Sequence, residues 1–162
     1  MNIFVLHLSP RVCAKYHCDK HVVKMILETA QLLYSVHWVV GTQLPPNAYK
    51  LAHKNHPCSI WARTSLQNYL WLCYLGKFLC KEYTIRYSKI HKTQEHIEWL
   101  LKNEPQIDSI GITKWALAMP EIYKSEDVVD SYRKFYIESK CIERKIVSYK
   151  KHIPKFMVPY LT

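Results

Sequence analysis

With 162 residues, 49% of them hydrophobic, this chain is long enough to bury the core of one domain and too apolar to be disordered. Its three glycines form no glycine-rich phosphate loop, which excludes P-loop and Rossmann-type nucleotide-binding folds. The formal charge of +10, from 23 Lys and Arg against 13 Asp and Glu, favours a polyanionic partner. We therefore expect the protein to bind nucleic acid or a nucleotide.

The six cysteines form no CxxC pair, which indicates reduced core residues of a cytoplasmic or nuclear protein. Residues 1–8 have neither the basic start nor the cleavage site of a signal peptide. The longest apolar stretch is interrupted by Lys24, Glu28 and Gln31, so we expect no membrane-spanning segment.

The local pattern predicts an all-α fold, a compact single domain of four to six helices over residues 1–162. A short extended segment, NIFVLHL, precedes the helices. Helices are predicted at residues 10–40, 57–88, 94–102 and from 125 to about 140, with long connections at 41–56 and 103–124. Asp19 can cap a restart of the first helix, which would place a break near Cys18.

The first long helix carries a narrow polar stripe within YHCDKHVVKMILETAQLLYS, residues 16–35. At 100° per residue, apolar side chains cover most of the remaining surface of this helix. The stripe consists of His21, Lys24, Glu28, Gln31 and Ser35, with His17 one turn before it. It either faces water or forms the wall of a catalytic or binding site, and the enzymatic interpretation depends on the second arrangement.

Within this stripe, Glu28 and Lys24 have the spacing of an ordinary i,i+4 ion pair. Surrounded by apolar residues, Glu28 can instead be a carboxylate whose pKa is raised by burial and lowered by Lys24. A lysine beside a glutamate is also a candidate amine nucleophile with a proton shuttle.

The histidines allow a metal-dependent alternative. His17 and His21 lie at i,i+4, a spacing that can bind one metal ion, and Asp19 lies between them. His53, His56 or His37 could add a ligand, but the chain has no HExxH and no complete zinc signature. We therefore predict no metal and no cofactor, and keep a metal-dependent hydrolase as the alternative.

Two basic clusters support a nucleic-acid partner. The stretch 140–155 contains Arg144, Lys145, Lys150 and Lys151, with aromatic residues interleaved. Cations along a groove and aromatic stacking platforms are what nucleic-acid binding requires. Arg86 belongs to a second cluster at the end of the helix predicted at 57–88, where it could equally stabilise the helix terminus.

The segments YHCDKHVVKMILETAQLL and HKNHPCSIWARTSLQNYLWL resemble an uncharacterised family of small proteins from phages and large DNA viruses. This resemblance covers most of the chain, including KIHKTQE and AMPEIY. It implies a viral protein in the cytoplasm or nucleus of a host cell, but it supplies little chemistry.

The chain is also similar to the endonuclease-V-type pyrimidine-dimer DNA glycosylases, which are small, basic and helical. Their first helix carries a histidine and, seven residues later, a catalytic glutamate, and His21 and Glu28 have that spacing here. Their long middle helix follows a loop and ends with a basic residue near a glutamate, as Arg86 and Glu82 do. The similarity implies a DNA-repair hydrolase with Glu28 as its key carboxylate.

One departure concerns the nucleophile. Those enzymes attack the sugar C1′ with the α-amine exposed by removal of the initiator methionine, whereas Asn2 disfavours that removal here. The amine would then be that of Met1 or of Lys20 or Lys24, unless lyase chemistry is missing. The arginines beside the family's glutamate have no clear counterpart here, since Leu27 and Gln31 occupy the nearby positions.

The leading hypothesis is a viral glycosylase-like enzyme that flips a base into a pocket. Glu28 would act as general acid/base or stabilise the sugar cation, and Lys24 or Lys20 would supply the amine. His21, with His17, Gln31, Asn55, His56, Arg63 and Arg86, would contact the substrate. The basic stretch from Arg144 to Lys151 would hold phosphates. The non-enzymatic alternative is a protein that only binds nucleic acid or a nucleotide.

Overall fold

A computed structural model describes residues 1–161. The fold is all-α, as the sequence predicts, and no strand occurs among these residues. The six α-helices are α1 Pro10–Tyr16, α2 Asp19–Val40, α3 Pro57–Thr64, α4 Leu66–Tyr87, α5 Gln94–Lys102 and α6 Val128–Phe135. A π-helix, Tyr136–Glu143, continues α6. No helix within these bounds combines the length and apolarity that crossing a membrane requires.

The first predicted helix is two helices, with the break at His17 and Cys18. The backbone of His17 is extended, with ψ 134°, and α2 restarts at Asp19. The hydroxyl of Tyr136 accepts a hydrogen bond from the Cys18 N–H at 3.0 Å. A distant side chain therefore stabilises the break that Asp19 suggested from local sequence.

The prediction of one continuous helix at residues 57–88 is wrong, because Ser65 divides this stretch into α3 and α4. Ser65 is extended, with φ −148° and ψ 154°, and its hydroxyl accepts from the Asn68 N–H at 3.1 Å. The same hydroxyl donates to the Gly111 carbonyl at 2.7 Å. Serine favours such capping over the interior of a helix, and the long connection 103–124 supplies the carbonyl.

The sequence predicts that Ser125 opens the last α-helix, whereas α6 begins at Val128 with its N-cap two residues after Ser125. Asp127 caps this helix, accepting from the Asp130 N–H at 3.0 Å, and Ser125 lies before it. The Ser125 hydroxyl instead bonds the Asp127 carbonyl. Asp127 therefore caps α6 in place of Ser125, because a carboxylate is a stronger acceptor than a hydroxyl at a helix N-terminus.

The core is built around α2 and α4. Gly76 of α4 allows this packing, since a Cβ there would lie 2.9 Å from Ile97 Cδ1 and 3.2 Å from Thr29 Cγ2. The short N-terminal segment from Asn2 to Leu6 is buried in the same core. This burial brings the first residue of the chain against α2.

Candidate active site

The amine of Met1 lies at the carboxylate of Glu28. Its nitrogen is 3.2 Å from Glu28 Oε1, and the Met1 and Glu28 side chains are 4% and 11% exposed. Glu28 projects from the middle of α2 towards the buried N-terminal segment. The polar stripe of α2 therefore presents its carboxylate inward at this point, next to a primary amine.

The second oxygen of Glu28 has only a long contact. Lys24 Nζ lies 3.6 Å from Oε2, and the Lys24 side chain is 66% exposed. No hydrogen bond reaches this buried oxygen from residues 1–161. Most buried acceptors in folded proteins are hydrogen-bonded, so this oxygen needs an explanation.

His21 lies on α2, one turn before Lys24 and two turns before Glu28. Its ring is held by the C-terminal part of the chain. Its Nδ1 is 2.8 Å from the Tyr136 hydroxyl, and its ring stacks on Phe4 at 4.6 Å. That hydroxyl accepts the Cys18 N–H, which leaves its own proton available to His21 Nδ1. The imidazole then carries its proton on Nε2. Burial lowers the pKa of His21 to about 3, helped by neighbouring His17 and Lys140, so the ring is neutral at physiological pH.

Lys140 enters the site from the π-helix. Its Nζ lies 4.9 Å from the centre of the Phe135 ring and 5.8 Å from that of Phe4. Burial lowers the pKa of Lys140, with further lowering from Arg144 and Lys24, while Glu28 opposes it. The π-helix therefore holds a partly buried cation over the rings of Phe4 and Phe135, near enough to Glu28 to feel its charge.

The loop before α3 closes another side of the site. His56 caps α3, its Nδ1 accepting from the Cys58 N–H at 3.0 Å. Burial lowers the pKa of His56, and the terminal ammonium and His53 act in the same direction against Glu28. His56 therefore belongs to the electrostatic environment of the amine and the carboxylate. Arg63 donates to the Lys54 carbonyl at 2.7 Å and so stabilises the loop in which Asn55 is exposed.

Arg86 lies away from this cluster and holds helices together. Its guanidinium is 2% exposed and bonds Glu82 Oε1 at 3.0 Å and Asp19 Oδ1 at 3.2 Å. It also donates to the backbone carbonyls of His17 and Lys15. With its donors occupied by α1, α2 and α4, Arg86 has a structural environment rather than one open to a substrate.

The predicted metal-binding residues do not converge. His17 is buried with Nδ1 on the Cys13 carbonyl at 2.8 Å, and Asp19 accepts from Arg86, Ser148 and the Lys150 backbone. Residues 1–161 contain no cluster of three or more His, Cys, Asp or Glu side chains suited to a metal ion.

The remaining candidates lie at the surface. Lys20 is exposed on α2, and Gln31 is partly buried one turn beyond Glu28. The basic residues Arg144, Lys145, Lys150 and Lys151 are exposed, as expected for phosphate contacts. Five cavities of about 160 to 800 Å³ open elsewhere on the molecule, and none is lined by Met1, Glu28 or His56.

Sequence reasoning did not single out Phe4, Tyr136 or Lys140 as parts of this site. Phe4 belongs to a segment whose sequence predicts only an extended conformation, and Tyr136 is one of 12 tyrosines. Lys140 begins the basic stretch, but nothing in its neighbours distinguishes it from a solvated lysine. Their roles come from contacts between residues more than 100 positions apart, such as His21 with Tyr136.

Comparison with known proteins identifies the family. A family model described as pyrimidine dimer DNA glycosylase matches residues 1–96, which include Met1, His21, Glu28 and His56. No curated protein and no solved structure matches the chain. The match confirms the similarity to pyrimidine-dimer glycosylases, whereas a viral origin stays a prediction. The chain belongs to the pyrimidine dimer DNA glycosylase family.

Proposed function

We propose that this protein excises pyrimidine dimers from DNA, with Glu28 as the key carboxylate and the Met1 α-amine as the nucleophile. The observation that carries the proposal is the 3.2 Å contact between that amine and Glu28 Oε1. An amine and a carboxylate in contact can supply both the nucleophile and the proton transfer that a glycosylase with lyase activity needs.

Among the three candidate amines, geometry favours Met1. The Lys24 amine is farther from Glu28, at 3.6 Å, and its side chain is 66% exposed. The Met1 side chain is 4% exposed, so its amine is held in a defined place, whereas Lys24 must give up rotamer freedom before it can react. Lys20 is exposed and has no contact with Glu28.

In the reaction, the unprotonated Met1 amine attacks C1′ of the damaged nucleotide. An N–C1′ bond forms, the glycosidic C1′–N bond breaks, and the bonding pair leaves with the base, which takes a proton from solvent water. The Glu28 carboxylate stabilises the positive charge that develops on the sugar, accepts the proton released by the amine and passes it to O4′ as the sugar ring opens. Opening of the sugar ring then gives an iminium, and loss of a C2′ proton expels the 3′ phosphate.

Other groups on this face bind the substrate. His21, neutral and with its proton on Nε2, is a fixed donor two turns before Glu28 on α2. Lys140 and the exposed Arg144 would contact phosphates flanking the lesion, with Lys145, Lys150 and Lys151 extending the basic surface. His56 and the exposed Asn55 would contact the displaced base from the loop before α3.

The test uses a duplex with one cyclobutane pyrimidine dimer and an otherwise identical undamaged duplex. We expect strand cleavage of the damaged duplex alone. Borohydride should reduce the iminium to a covalent protein–DNA adduct, and peptide mass mapping should place it on Met1. Absence of cleavage and of an adduct on dimer-containing and abasic duplexes would refute the proposal. An adduct on Lys24 would assign the nucleophile to that residue instead.

A further inference from the structure

Asn2 is held by an unusually complete set of hydrogen bonds for a residue next to a chain terminus. It is 9% exposed, and its Nδ2 donates to the Ala118 carbonyl at 2.9 Å. Its Oδ1 accepts from the Ile3 N–H at 2.8 Å and lies 2.9 Å from the Tyr132 hydroxyl. Most termini are poorly ordered unless tied down, so these contacts need an explanation.

The partners of Asn2 come from the other end of the chain. Tyr132 is fully buried on α6, and its hydroxyl also lies 2.8 Å from the Ala116 carbonyl and 3.3 Å from the Ala118 N–H. The segment 116–118 and α6 thus form a polar niche whose donor and acceptor groups match one amide side chain. Met1 lies between this niche and Glu28, so contacts on both sides fix the position of its backbone.

This niche determines which residue supplies the amine. Consecutive Cα atoms are about 3.8 Å apart, so a shift of one residue moves the terminal amine well out of contact with Glu28. If the chain is longer by one residue at its start, a peptide nitrogen lies at Glu28 in place of the amine. A one-residue slip would also put the apolar Ile3 into the niche. The partly buried Ala118 carbonyl would then lose its side-chain donor, which disfavours the shifted register.

We infer that Asn2 is a positioning residue that fixes the register of the N-terminus, so that the amine at Glu28 belongs to a retained Met1. This inference rests on the proposed function and goes beyond it. In this chain the initiator methionine is part of the active site, and its removal destroys the site instead of completing it. Asn2 serves both purposes, because its large side chain disfavours removal of Met1 and its amide fills the niche.

The first experiment changes the register. Intact mass of the wild-type protein should show Met1 at the N-terminus. One alanine placed before Met1, after a cleavable tag, should leave the melting temperature within about one degree and reduce the borohydride-trapping rate on an abasic duplex by at least about 100-fold, the scale of a small misplacement. The same tag cleaved to expose Met1 itself is the matched control and should restore trapping.

The second experiment changes the niche and leaves Met1 in place. Asn2→Leu removes both hydrogen-bonding groups at similar volume, and Tyr132→Phe removes only the hydroxyl. Tyr34→Phe is the matched control, since Tyr34 is a fully buried tyrosine bonded to His96 at 2.7 Å on another part of the fold. For the first two variants we expect a fall of about tenfold or more in single-turnover trapping with the DNA dissociation constant changed less than twofold. Tyr34→Phe should trap at the wild-type rate even where its melting temperature falls equally.

The possible outcomes separate the inference from the proposed function. If wild-type protein forms its adduct on Met1 while Asn2→Leu and Tyr132→Phe trap at the wild-type rate, the positioning role is refuted and the proposed function stands. A mature protein that begins at Asn2, or an alanine-extended protein with full trapping, also refutes the role of Met1 retention. Absence of any adduct from the wild-type protein refutes both.

Discussion

Replacing Glu28 with Gln keeps the shape of the side chain and removes its negative charge. The carboxylate is 11% exposed, so its interaction with a cation at the sugar is only partly screened. At a separation of about 4 Å and an effective dielectric constant of about 20, two unit charges interact by about 4 kcal/mol. At about 1.4 kcal/mol for each factor of ten, the chemical step should slow about 10³-fold in Glu28→Gln.

The assay is single-turnover cleavage of a dimer-containing duplex, with DNA binding measured separately. We expect the large loss in rate with little change in the dissociation constant, because Glu28 is far more important for the transition state than for phosphate binding. Glu98→Gln on α5 is the control for loss of one negative charge at an exposed position. Cleavage by Glu28→Gln within about threefold of wild type would refute the role of Glu28. It would leave a nucleic-acid-binding protein without this catalytic centre.

Three further predictions concern binding, stability and pH. Lys140→Ala should weaken DNA binding for damaged and undamaged duplexes alike and reduce the slope of log K against log salt by about one, measured by fluorescence anisotropy; an unchanged slope would show that Lys140 makes no phosphate contact. Arg86→Ala should lower the free energy of unfolding in urea by about 3–5 kcal/mol, since it leaves Asp19 and Glu82 as buried, unpaired carboxylates; a loss below about 1 kcal/mol would contradict its structural role. Burial lowers the pKa of His17 from 6.5 to about 4, so the unfolded chain binds more protons between those values. The free energy of unfolding therefore keeps its full value above pH 6.5 and falls by up to about 3 kcal/mol as the pH is lowered towards 4. His17→Gln should flatten this pH dependence in urea titrations. Identical pH dependence in the variant would refute the prediction.

The sequence was sufficient for the helical class and for the polar stripe of α2 that contains Glu28. Helix periodicity and N-cap residues are local, so the beginnings of α1, α3 and α5 could be read from a few neighbouring positions. The stripe with His21, Lys24 and Glu28 followed from the same periodicity. The division of the middle helix at Ser65 did not, because the Gly111 carbonyl that engages its hydroxyl lies 46 residues later.

Whether a polar residue belongs to the site or to the scaffold was decided only by tertiary structure. Arg86 and Lys140 are both cations in basic surroundings, yet Arg86 is enclosed by carboxylates and carbonyls whereas Lys140 lies over the aromatic rings of Phe135 and Phe4. Asn2 and Tyr132 meet across 130 positions of sequence. The sequence by itself determined that α2 would carry a carboxylate on a narrow polar stripe; the tertiary fold determined that the first amine of the chain would lie against it, because burying residues 2–6 leaves the terminus at that side chain.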